Sequence, residues 1–197
     1  NGYESPETTH YSVVDQWGNA VSVTTTINLS YGNGCVVEGA GFFLNNEMDD
    51  FSAKPGIPNA FGLIGNEANS IAPKKRPLSS MTPTIVLKDN KPFLVVGSPG
   101  GSTIITTTMQ TILNVVDYEM DIKEAVCASR FHSQWLPDVI QIEPRGLTKD
   151  VLVNLKSRGH EIIYRGGYIG ESNGIMITDE GFFGGGDCRG ETSALGY

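Results

Sequence analysis

Clustered positive charge is missing from this sequence of 197 residues. Its 14 lysine and arginine residues are outnumbered by 22 aspartate and glutamate residues, which gives a net charge of -8 at pH 7. Only Lys74, Lys75 and Arg76 form a basic run, whereas contacts to phosphate groups need many clustered cations. Apolar segments of about 20 residues, the length of a membrane span, are also missing. The sequence therefore predicts no nucleic acid partner and no membrane span in this chain.

Cysteine and histidine are too few and too scattered to predict a disulfide framework or a metal site. Cys35, Cys127 and Cys188 are odd in number, far apart and in no C-x-x-C arrangement. The three histidines are isolated from one another and lack the spacing of metal ligands. The sequence also contains no G-x-S-x-G nucleophile elbow and no phosphate-binding loop. It therefore predicts no metal site and offers no elbow serine.

The remaining composition is that of a globular protein with a single core. Hydrophobic residues make up 39% and charged residues 18% of the chain, and its 24 glycines cluster between short β-like runs. This pattern predicts many strands joined by tight turns. Because Asn1 is not an initiator residue, we expect the chain to be the carboxy-terminal part of a longer precursor.

A β-hairpin is predicted near the beginning of the chain. Segments 9–15 and 20–27 are rich in valine, threonine and tyrosine, and Gly18 suits the left-handed position of the turn between them. Extending this register places Thr8 opposite Thr26, with their β-carbons about 4.5 to 5.5 Å apart. Alternate positions of the second strand carry serine, threonine and asparagine. That polar face is therefore not expected to be simple core.

Further strand and helix signals predict a layered α+β domain. Segments 84–88 and 93–96 read as a second hairpin turning at 89–91, and both strands are apolar enough to predict burial on both faces. Ser102 is expected to cap a helix at 103–114. Its predicted apolar stripe is Ile104, Ile105, Met109, Ile112 and Leu113.

The last third of the chain predicts two more helices and two more strands. A capping box at 121–124 opens one helix, and Thr148 opens another that stops at Gly159. Strands are predicted near 161–164 and 174–178. The signals do not alternate regularly between strand and helix, which favours an α+β fold over an α/β fold.

Several polar residues could carry chemistry, although each also has a plain structural explanation. A threonine becomes a nucleophile when a free α-amine beside it acts as base, but Thr8 is internal, and the residues alone favour an ordinary strand residue at this position. Gly100 and Gly101 could offer backbone amides to an oxyanion or could form a tight turn. Ser79 and Ser80 could bind a carboxylate or could be turn residues.

An acidic loop is the remaining candidate. Glu47, Asp49 and Asp50 could bind an ammonium group, although an acidic run is more often a solvated loop. Residue spacing alone does not decide between these alternatives.

Four long segments resemble signature stretches of bacterial γ-glutamyltransferases, in the order that this family has them. They are TTHYSVVD at 8–15, LNNEMDDFSAKPG at 44–56, KRPLSSMTPT at 75–84 and GSPGGS at 97–102. The similarity continues to the end of the chain. This resemblance implies a four-layer αββα sandwich of the N-terminal-nucleophile hydrolase type, formed when a precursor cleaves itself between Glu7 and Thr8. Residues 1–7 would then be a residual propeptide or large-subunit tail, and 8–197 a single-domain catalytic small subunit that a separate large subunit completes.

The resemblance also implies a role for each matching residue. Thr8 would be the nucleophile and, once its amine is free, the base. Thr26 would orient it. Gly100 and Gly101 would form the oxyanion hole.

The substrate would be held by a second group of residues. Ser79 and Ser80 would hold the α-carboxylate, while Asn28, Glu47 and Asp50 would hold the α-ammonium group of the γ-glutamyl substrate.

Phe61 is among the positions that depart from the family pattern. Phe61 stands where many bacterial members carry a lid tyrosine that hydrogen-bonds the residue matching Asn28. Phenylalanine can cover the pocket but cannot make that bond.

The implied reaction is transfer of the γ-glutamyl group of glutathione and other γ-glutamyl compounds, through a threonyl acyl-enzyme, to water or to an amino-acid or peptide acceptor. It would need no cofactor, and the resemblance suggests a periplasmic or secreted protein. Two alternatives remain: a cephalosporin or glutaryl acylase of the same fold, and a γ-glutamyl-ligand binding protein that never cleaves itself.

Overall fold

The computed structural model describes residues 8–59 and 61–196 and contains nine strands and three α-helices in those ranges. The strands are β1 (Thr9–Val14), β2 (Ala20–Thr25), β3 (Thr84–Lys88), β4 (Lys91–Gly97), β5 (Phe131–His132), β6 (Ile140–Ile142), β7 (Ile162–Tyr164), β8 (Asn173–Thr178) and β9 (Gly181–Gly185). The helices are α1 (Ile104–Val116), α2 (Ile122–Cys127) and α3 (Lys149–Ser157). No helix in the described part of the chain is long and apolar enough to cross a membrane.

The fold has three layers, and strand β4 lies in the central one. The central sheet has the order β3-β4-β8-β9, and helices α1 and α2 cover one of its faces. Leu94 and Val96 point to that side and join the apolar core of the two helices. The β1-β2 hairpin contacts β4 and β8 from the other layer. The predicted α+β class is therefore confirmed, with the central strand buried between helices and hairpin.

The register of the first hairpin is confirmed. Thr9 pairs with Thr25 and Val14 with Ala20, which is the register predicted from the turn. Gly18 has a φ of 84°, a conformation that glycine adopts without steric cost. The Asp15 carboxylate accepts hydrogen bonds from the amides of Trp17 and Asn19 and so fixes the turn.

The polar face of the hairpin is the face that packs on the central sheet. The hydroxyl of Ser12 donates to the carbonyl oxygen of Val95 at 3.3 Å, and that of Ser22 donates to Val96 at 3.1 Å. Tyr11 and Val13 on the opposite face are about half exposed, at 49% and 48%. The expectation that the polar face is not simple core is confirmed, because its hydroxyls hold two sheets together by hydrogen bonds.

His10 fills the gap between the hairpin and the end of β4. Its Nδ1 lies 2.9 Å from Thr24 Oγ1, and its Nε2 lies 3.1 Å from Ser12 Oγ. Since Ser12 donates its own proton to Val95, Nε2 is the nitrogen that carries hydrogen. A β-carbon at Gly97 would overlap the imidazole ring, so this close approach requires glycine. Burial lowers the pKa of His10 from 6.5 to about 4.

The second hairpin was predicted only in part. Its turn contains two residues, Asp89 and Asn90, both with positive φ, rather than three. Strand β4 is buried as predicted, but Ile85 and Leu87 of β3 are 40% and 59% exposed. The prediction that both faces of β3 are buried was therefore wrong, and this strand lies at the edge of the sheet.

The prediction for α1 was wrong in two respects. Ser102 does not cap it, because Gly101–Thr103 form a turn of 3-10 helix that leads directly into α1. The buried side of α1 carries Thr107, Thr108, Gln110 and Thr111, whereas Ile105, Met109 and Leu113 of the predicted stripe are 38% to 50% exposed. Periodicity located an apolar face correctly but could not show that this chain leaves much of it uncovered.

The later elements agree more closely with the sequence. The capping box of Asp121 and Glu124 opens α2, and α3 begins after Thr148 and ends before Gly159, which has a φ of 90°. Strands β5, β6 and β9 were not predicted. The parallel pair of β6 and β7 encloses α3 in one βαβ unit.

A cluster of four buried charges joins segments that lie far apart in sequence. Arg130 donates to Asp187 Oδ2 at 2.7 Å, and Arg189 donates to Asp187 Oδ1 and to both oxygens of Glu143 at 2.7 to 2.9 Å. Burial alone would raise the pKa of Glu143, but hydrogen bonds from Arg189 and from two backbone amides lower it below its usual value. Each buried charge therefore has an opposite charge to pair with.

This cluster supports the loop beneath the glycine-rich segment. The amide of Ile169 donates to Glu143 at 2.8 Å, and that of Ser172 donates to Asp187 at 2.7 Å. Ser172 Oγ in turn donates to the carbonyl of Gly97 at 3.2 Å. The charge cluster thus fixes the loop that packs against residues 97–101.

We expect acid to destabilise the protein through His10. Between pH 6.5 and 4 the folded state keeps this imidazole neutral while the unfolded state takes up a proton, so stability falls as the pH falls through that window. The loss should reach up to about 3 kcal/mol for the full-length protein in urea denaturation. His10→Gln should flatten the dependence of the free energy of unfolding on pH in this window, and His160→Gln at an exposed position is the control. Equal slopes in wild type and His10→Gln would contradict the assignment.

We expect Asp187→Ala to destabilise the full-length protein by about 3 to 5 kcal/mol, because the buried Arg130 guanidinium loses its counter-charge. Chemical denaturation would measure the change, and Asp138→Ala at an exposed position provides the control. A loss no larger than that of the control would show that the charge cluster does not stabilise the fold.

Candidate active site

Thr8 lies just before β1 and is held by the hydroxyl of Thr26. The Thr8 side chain is buried, with 8% of the residue exposed, and its hydroxyl donates to Thr26 Oγ1 at 3.1 Å. The two residues face each other where the β1-β2 ladder ends, as the hairpin register requires. This contact fixes the position of the Thr8 oxygen relative to the sheet.

Asn28 fixes Thr26 from the other side. Its backbone amide donates to Thr26 Oγ1 at 2.9 Å, which the chain achieves by placing Asn28 at a φ of 76°. Asparagine is among the few residues other than glycine that adopt this conformation readily. The side chain of Asn28 donates to the carbonyl of Asn46 at 3.1 Å, and Asn46 accepts from the amide of Leu29. The acidic loop is thereby tied to the end of β2.

One cavity brings together most of the residues that the sequence singled out. Eight of them line it: Thr8, Thr26, Asn28, Asp50, Phe61, Ser79, Ser80 and Gly101. Leu63, Met81, Ser102 and Ile104 complete its wall. Glu47 and Gly100 do not line this cavity themselves. Glu47 lies in the same turn as Asp50, and Gly100 directly precedes Gly101. Segments between 8 and 104 thus converge on the Thr8 hydroxyl.

The glycine pair has backbone conformations that require glycine. Gly100 has a φ of 134° and Gly101 a φ of 53°. A β-carbon on Gly100 would also crowd the Cα of Gly170 at 3.0 Å and the hydroxyl of Thr103 at 2.7 Å. Thr103 closes the turn by donating its amide and its hydroxyl to the carbonyl of Gly100. The turn places Gly101 at the wall of the Thr8 cavity, where backbone amides can stabilise a developing oxyanion.

Glu47 and Asp50 form a pair of carboxyl groups in a single turn of 3-10 helix. Burial, the negative charge of Asp50 and a hydrogen bond to Asp50 raise the pKa of Glu47 from 4.5 to about 7. Burial also raises the pKa of Asp50, against the opposing effect of its hydrogen bond with Glu47. Oε1 of Glu47 is buried and has no hydrogen-bond partner among the described residues. The pair is thus electrostatically suited to a cation.

Ser79 and Ser80 lie at the edge of the cavity. Ser79 is exposed and its hydroxyl accepts from the amide of Met81 at 3.2 Å, while Ser80 is half-buried. Two adjacent hydroxyls can both donate to one carboxylate.

Asn69 connects this serine pair to the acidic turn, and sequence reasoning missed it. Its side-chain amide donates to the carbonyl of Asp50 at 2.7 Å, and its oxygen accepts from the amide of Leu78 at 2.9 Å. The residue lies in a short 3-10 turn with no periodic pattern, so the sequence carries no signal for this role.

Phe61 covers part of the cavity from a separate loop. Asn59 organises this loop, because its side-chain oxygen accepts from the amides of Phe61 and Leu63, both at 3.0 Å. The ring of Phe61 is half-buried and has no group that could hydrogen-bond Asn28. In this chain the Asn28 side chain bonds to Asn46 instead.

Among the described residues, no group of three or more His, Cys, Asp or Glu side chains is placed to hold a metal ion. The groups that line the site are hydroxyls, carboxyl groups and backbone amides.

Comparison with known proteins gives one consistent family. The family model described as Gamma-glutamyltranspeptidase matches residues 1–197. The glutathione hydrolase proenzyme of Escherichia coli K12 is 52% identical over 188 residues, which cover 95% of this chain and 32% of that protein. The glutathione hydrolase proenzyme of Pseudomonas aeruginosa PAO1 is 47% identical over 196 residues, which cover 98% of this chain and 35% of that protein. The chain thus spans about a third of the length of these relatives.

Solved structures agree with the sequence matches. The crystal structure of a mutant of Helicobacter pylori gamma-glutamyltranspeptidase superposes with a TM-score of 0.88 at 59% identity, covering 92% of this chain and all of that one. Gamma-glutamyltranspeptidase from Pseudomonas nitroreducens, complexed with L-DON, gives a TM-score of 0.88 at 45% identity, covering 96% of this chain and all of that one. These neighbours have the predicted N-terminal-nucleophile hydrolase fold. With its site geometry, sequence and fold in agreement, the chain belongs to the gamma-glutamyltranspeptidase family.

Proposed function

We propose that this chain is the catalytic small subunit of an enzyme that hydrolyses and transfers the γ-glutamyl group of glutathione and other γ-glutamyl amides. The observation that carries this proposal is the contact of Thr8 with Thr26 inside a cavity that also contains Asp50, Ser79 and Ser80. The hydroxyl of Thr8 thus shares one cavity with the carboxyl group of Asp50 and with two serine hydroxyls that can donate hydrogen bonds.

The reaction begins with cleavage of the bond before Thr8. Glu7, on the other side of that bond, lies outside the described residues. Cleavage frees the α-amine of Thr8, which then accepts the proton of the Thr8 hydroxyl as the oxygen attacks the γ-amide carbonyl. The amides of Gly100 and Gly101 stabilise the oxyanion, and the leaving amine takes a proton as it departs. Water or an acceptor amine then releases the γ-glutamyl group from Thr8.

Substrate recognition follows from the two ends of the γ-glutamyl group. Its α-ammonium binds to Glu47, Asp50 and the oxygen of the Asn28 side chain, while its α-carboxylate accepts hydrogen bonds from Ser79 and Ser80. The elevated pKa values of Glu47 and Asp50 support this assignment, because a cation would relieve the repulsion between them. Phe61 shields the bound group from water.

A large subunit from the same precursor would complete the site. The uncovered apolar side chains of α1, including Ile105 and Met109, support this expectation because apolar surface favours a covering partner. The names of the relatives, which are proenzymes, support processing of a longer chain. Residues 1–7 would be the tail released from Thr8, and they lie outside the described residues. The amino-acid or peptide acceptor and the periplasmic or secreted location stay predictions from the family resemblance.

An acylase of the same fold is the nearest alternative. The cephalosporin acylase from Bacillus halodurans superposes with a TM-score of 0.78, but at 24% identity this shows the fold alone. The carboxyl pair of Glu47 and Asp50 favours a γ-glutamyl substrate, because a glutaryl group has no ammonium to neutralise it. Turnover of glutaryl amides at least as fast as that of γ-glutamyl amides would favour the acylase.

We expect Thr8→Ala to abolish both self-cleavage of the full precursor and release of a γ-glutamyl anilide, while folding is preserved. Amino-terminal sequencing of the small subunit and a chromogenic anilide assay measure the two effects. Thr9→Ala, next to it on the exposed side of β1, is the matched control and should still cleave. Cleavage of Thr8→Ala at the normal site would move the nucleophile elsewhere. A wild-type precursor that keeps Glu7 joined to Thr8 would favour a binding protein over an enzyme.

We expect Asp50→Asn to raise the apparent KM for γ-glutamyl anilide roughly 30-fold or more, because the ammonium group loses a partly buried charge partner worth about 2 to 5 kcal/mol. Steady-state kinetics of the processed enzyme would measure it. Asp49→Asn removes a charge from the same turn at a residue that does not line the cavity, and its KM should change far less. Equal KM values for the two variants would remove Asp50 from the substrate site.

A further inference from the structure

The fold brings together two cysteines that lie 61 residues apart in the sequence. Cys127 is the last residue of α2, and Cys188 lies between Asp187 and Arg189 of the charge cluster. The cysteine pattern of the sequence did not predict this approach. Neither residue lines the Thr8 cavity.

The two segments run side by side and are held by successive backbone carbonyls. Arg189 donates to the carbonyl of Val126 at 3.0 Å and to that of Ala128 at 2.7 Å. Between these contacts, Sγ of Cys188 lies 3.9 Å from the carbonyl oxygen of Cys127. The residue after Cys188 is thus anchored on both sides of Cys127, which fixes the two cysteines next to each other.

The Cys188 thiol lies against the backbone of Cys127, with Sγ 3.9 Å from its carbonyl oxygen. A hydrogen bond between the side chains of Cys127 and Cys188 is the main cause that raises the pKa of Cys188, followed by burial. Cys188 is exposed and Cys127 is half-buried, so a small reagent can reach the pair. A raised pKa keeps the thiol protonated and slows its reaction with oxidants.

We propose that Cys127 and Cys188 form a reversible disulfide bond that locks the charge cluster to the end of α2. The oxidant would be a small-molecule disulfide. The thiolate of Cys188 attacks one sulfur of the oxidant, which releases one thiol and leaves a mixed disulfide. Cys127 then attacks Cys188 Sγ and releases the second thiol. Two protein thiols are oxidised to one disulfide, and the oxidant is reduced to two thiols that carry the two protons.

This bond would act on the part of the fold that supports the glycine-rich segment. The chain between Cys127 and Cys188 contains Glu143 and the loop that carries Ile169 and Ser172. Cross-linking the two ends of such a long segment restricts the unfolded chain and therefore stabilises the folded state. Because the full-length protein unfolds with a large entropy change, the disulfide should raise the midpoint of thermal unfolding by roughly 2 to 5 °C.

The test uses the full-length protein with its large subunit, incubated in reduced or oxidised glutathione. After alkylation and protease digestion, mass spectrometry of the oxidised protein should show the Cys127 and Cys188 peptides linked, with the loss of two hydrogen atoms, and dithiothreitol should reverse it. Calorimetry of the same samples should show the higher midpoint only after oxidation. Because these readouts use wild-type protein, they do not depend on whether a variant folds.

Variants separate this pair from Cys35. Cys127→Ser and Cys188→Ser should each abolish both the linked peptide and the thermal shift, whereas Cys35→Ser, at an exposed site, should leave both unchanged. Three results would overturn the proposal: no linked peptide in oxidised wild type, a link that involves Cys35, or a stable glutathione adduct on Cys188 without ring closure.

Discussion

Hydrogen bonds between the polar face of the first hairpin and strand β4 determine the geometry of this site. Thr8 lies at the start of the hairpin and the glycine pair follows β4. The distance between the Thr8 hydroxyl and the backbone amides of the glycine pair therefore depends on how the hairpin packs on β4. Ser12 and Ser22 bond directly to carbonyl oxygens of β4. Directional bonds define one register, whereas an apolar contact of similar area would tolerate sliding.

The same requirement explains why so many buried groups around the site are polar. His10 stays neutral to accept from one hydroxyl and donate to another, and Gly97 leaves the space that its ring occupies. Behind the glycine-rich segment, Glu143 and Asp187 bind backbone amides of the supporting loop. Burying these carboxylates with their arginine partners costs free energy, but the ion pairs hold a loop without regular secondary structure in one conformation.

Local signals in the sequence predicted the parts of this structure that local forces control. Gly18 defined the first turn, and from that turn the register placed Thr8 beside Thr26. The convergence of the acidic turn, the serine pair and the glycine pair could be expected only from the family resemblance, because each segment alone fits an ordinary turn. The salt bridge of Arg130 with Asp187 joins residues 57 positions apart, and no periodic pattern reports such a contact. The exposed stripe of α1 shows a related limit, since periodicity locates an apolar face but not the partner that covers it.

The shared environment of Glu47 and Asp50 has a consequence for how the site exchanges protons with solvent. With a pKa of about 7, Glu47 in the empty site is protonated in a large fraction of molecules near neutral pH. A cationic group that settles between the two carboxyl groups would displace this proton, so that occupation of the cavity is coupled to proton release. The empty cavity then carries less negative charge than its two acidic residues suggest, and the full charge of the pair develops only as the cation arrives.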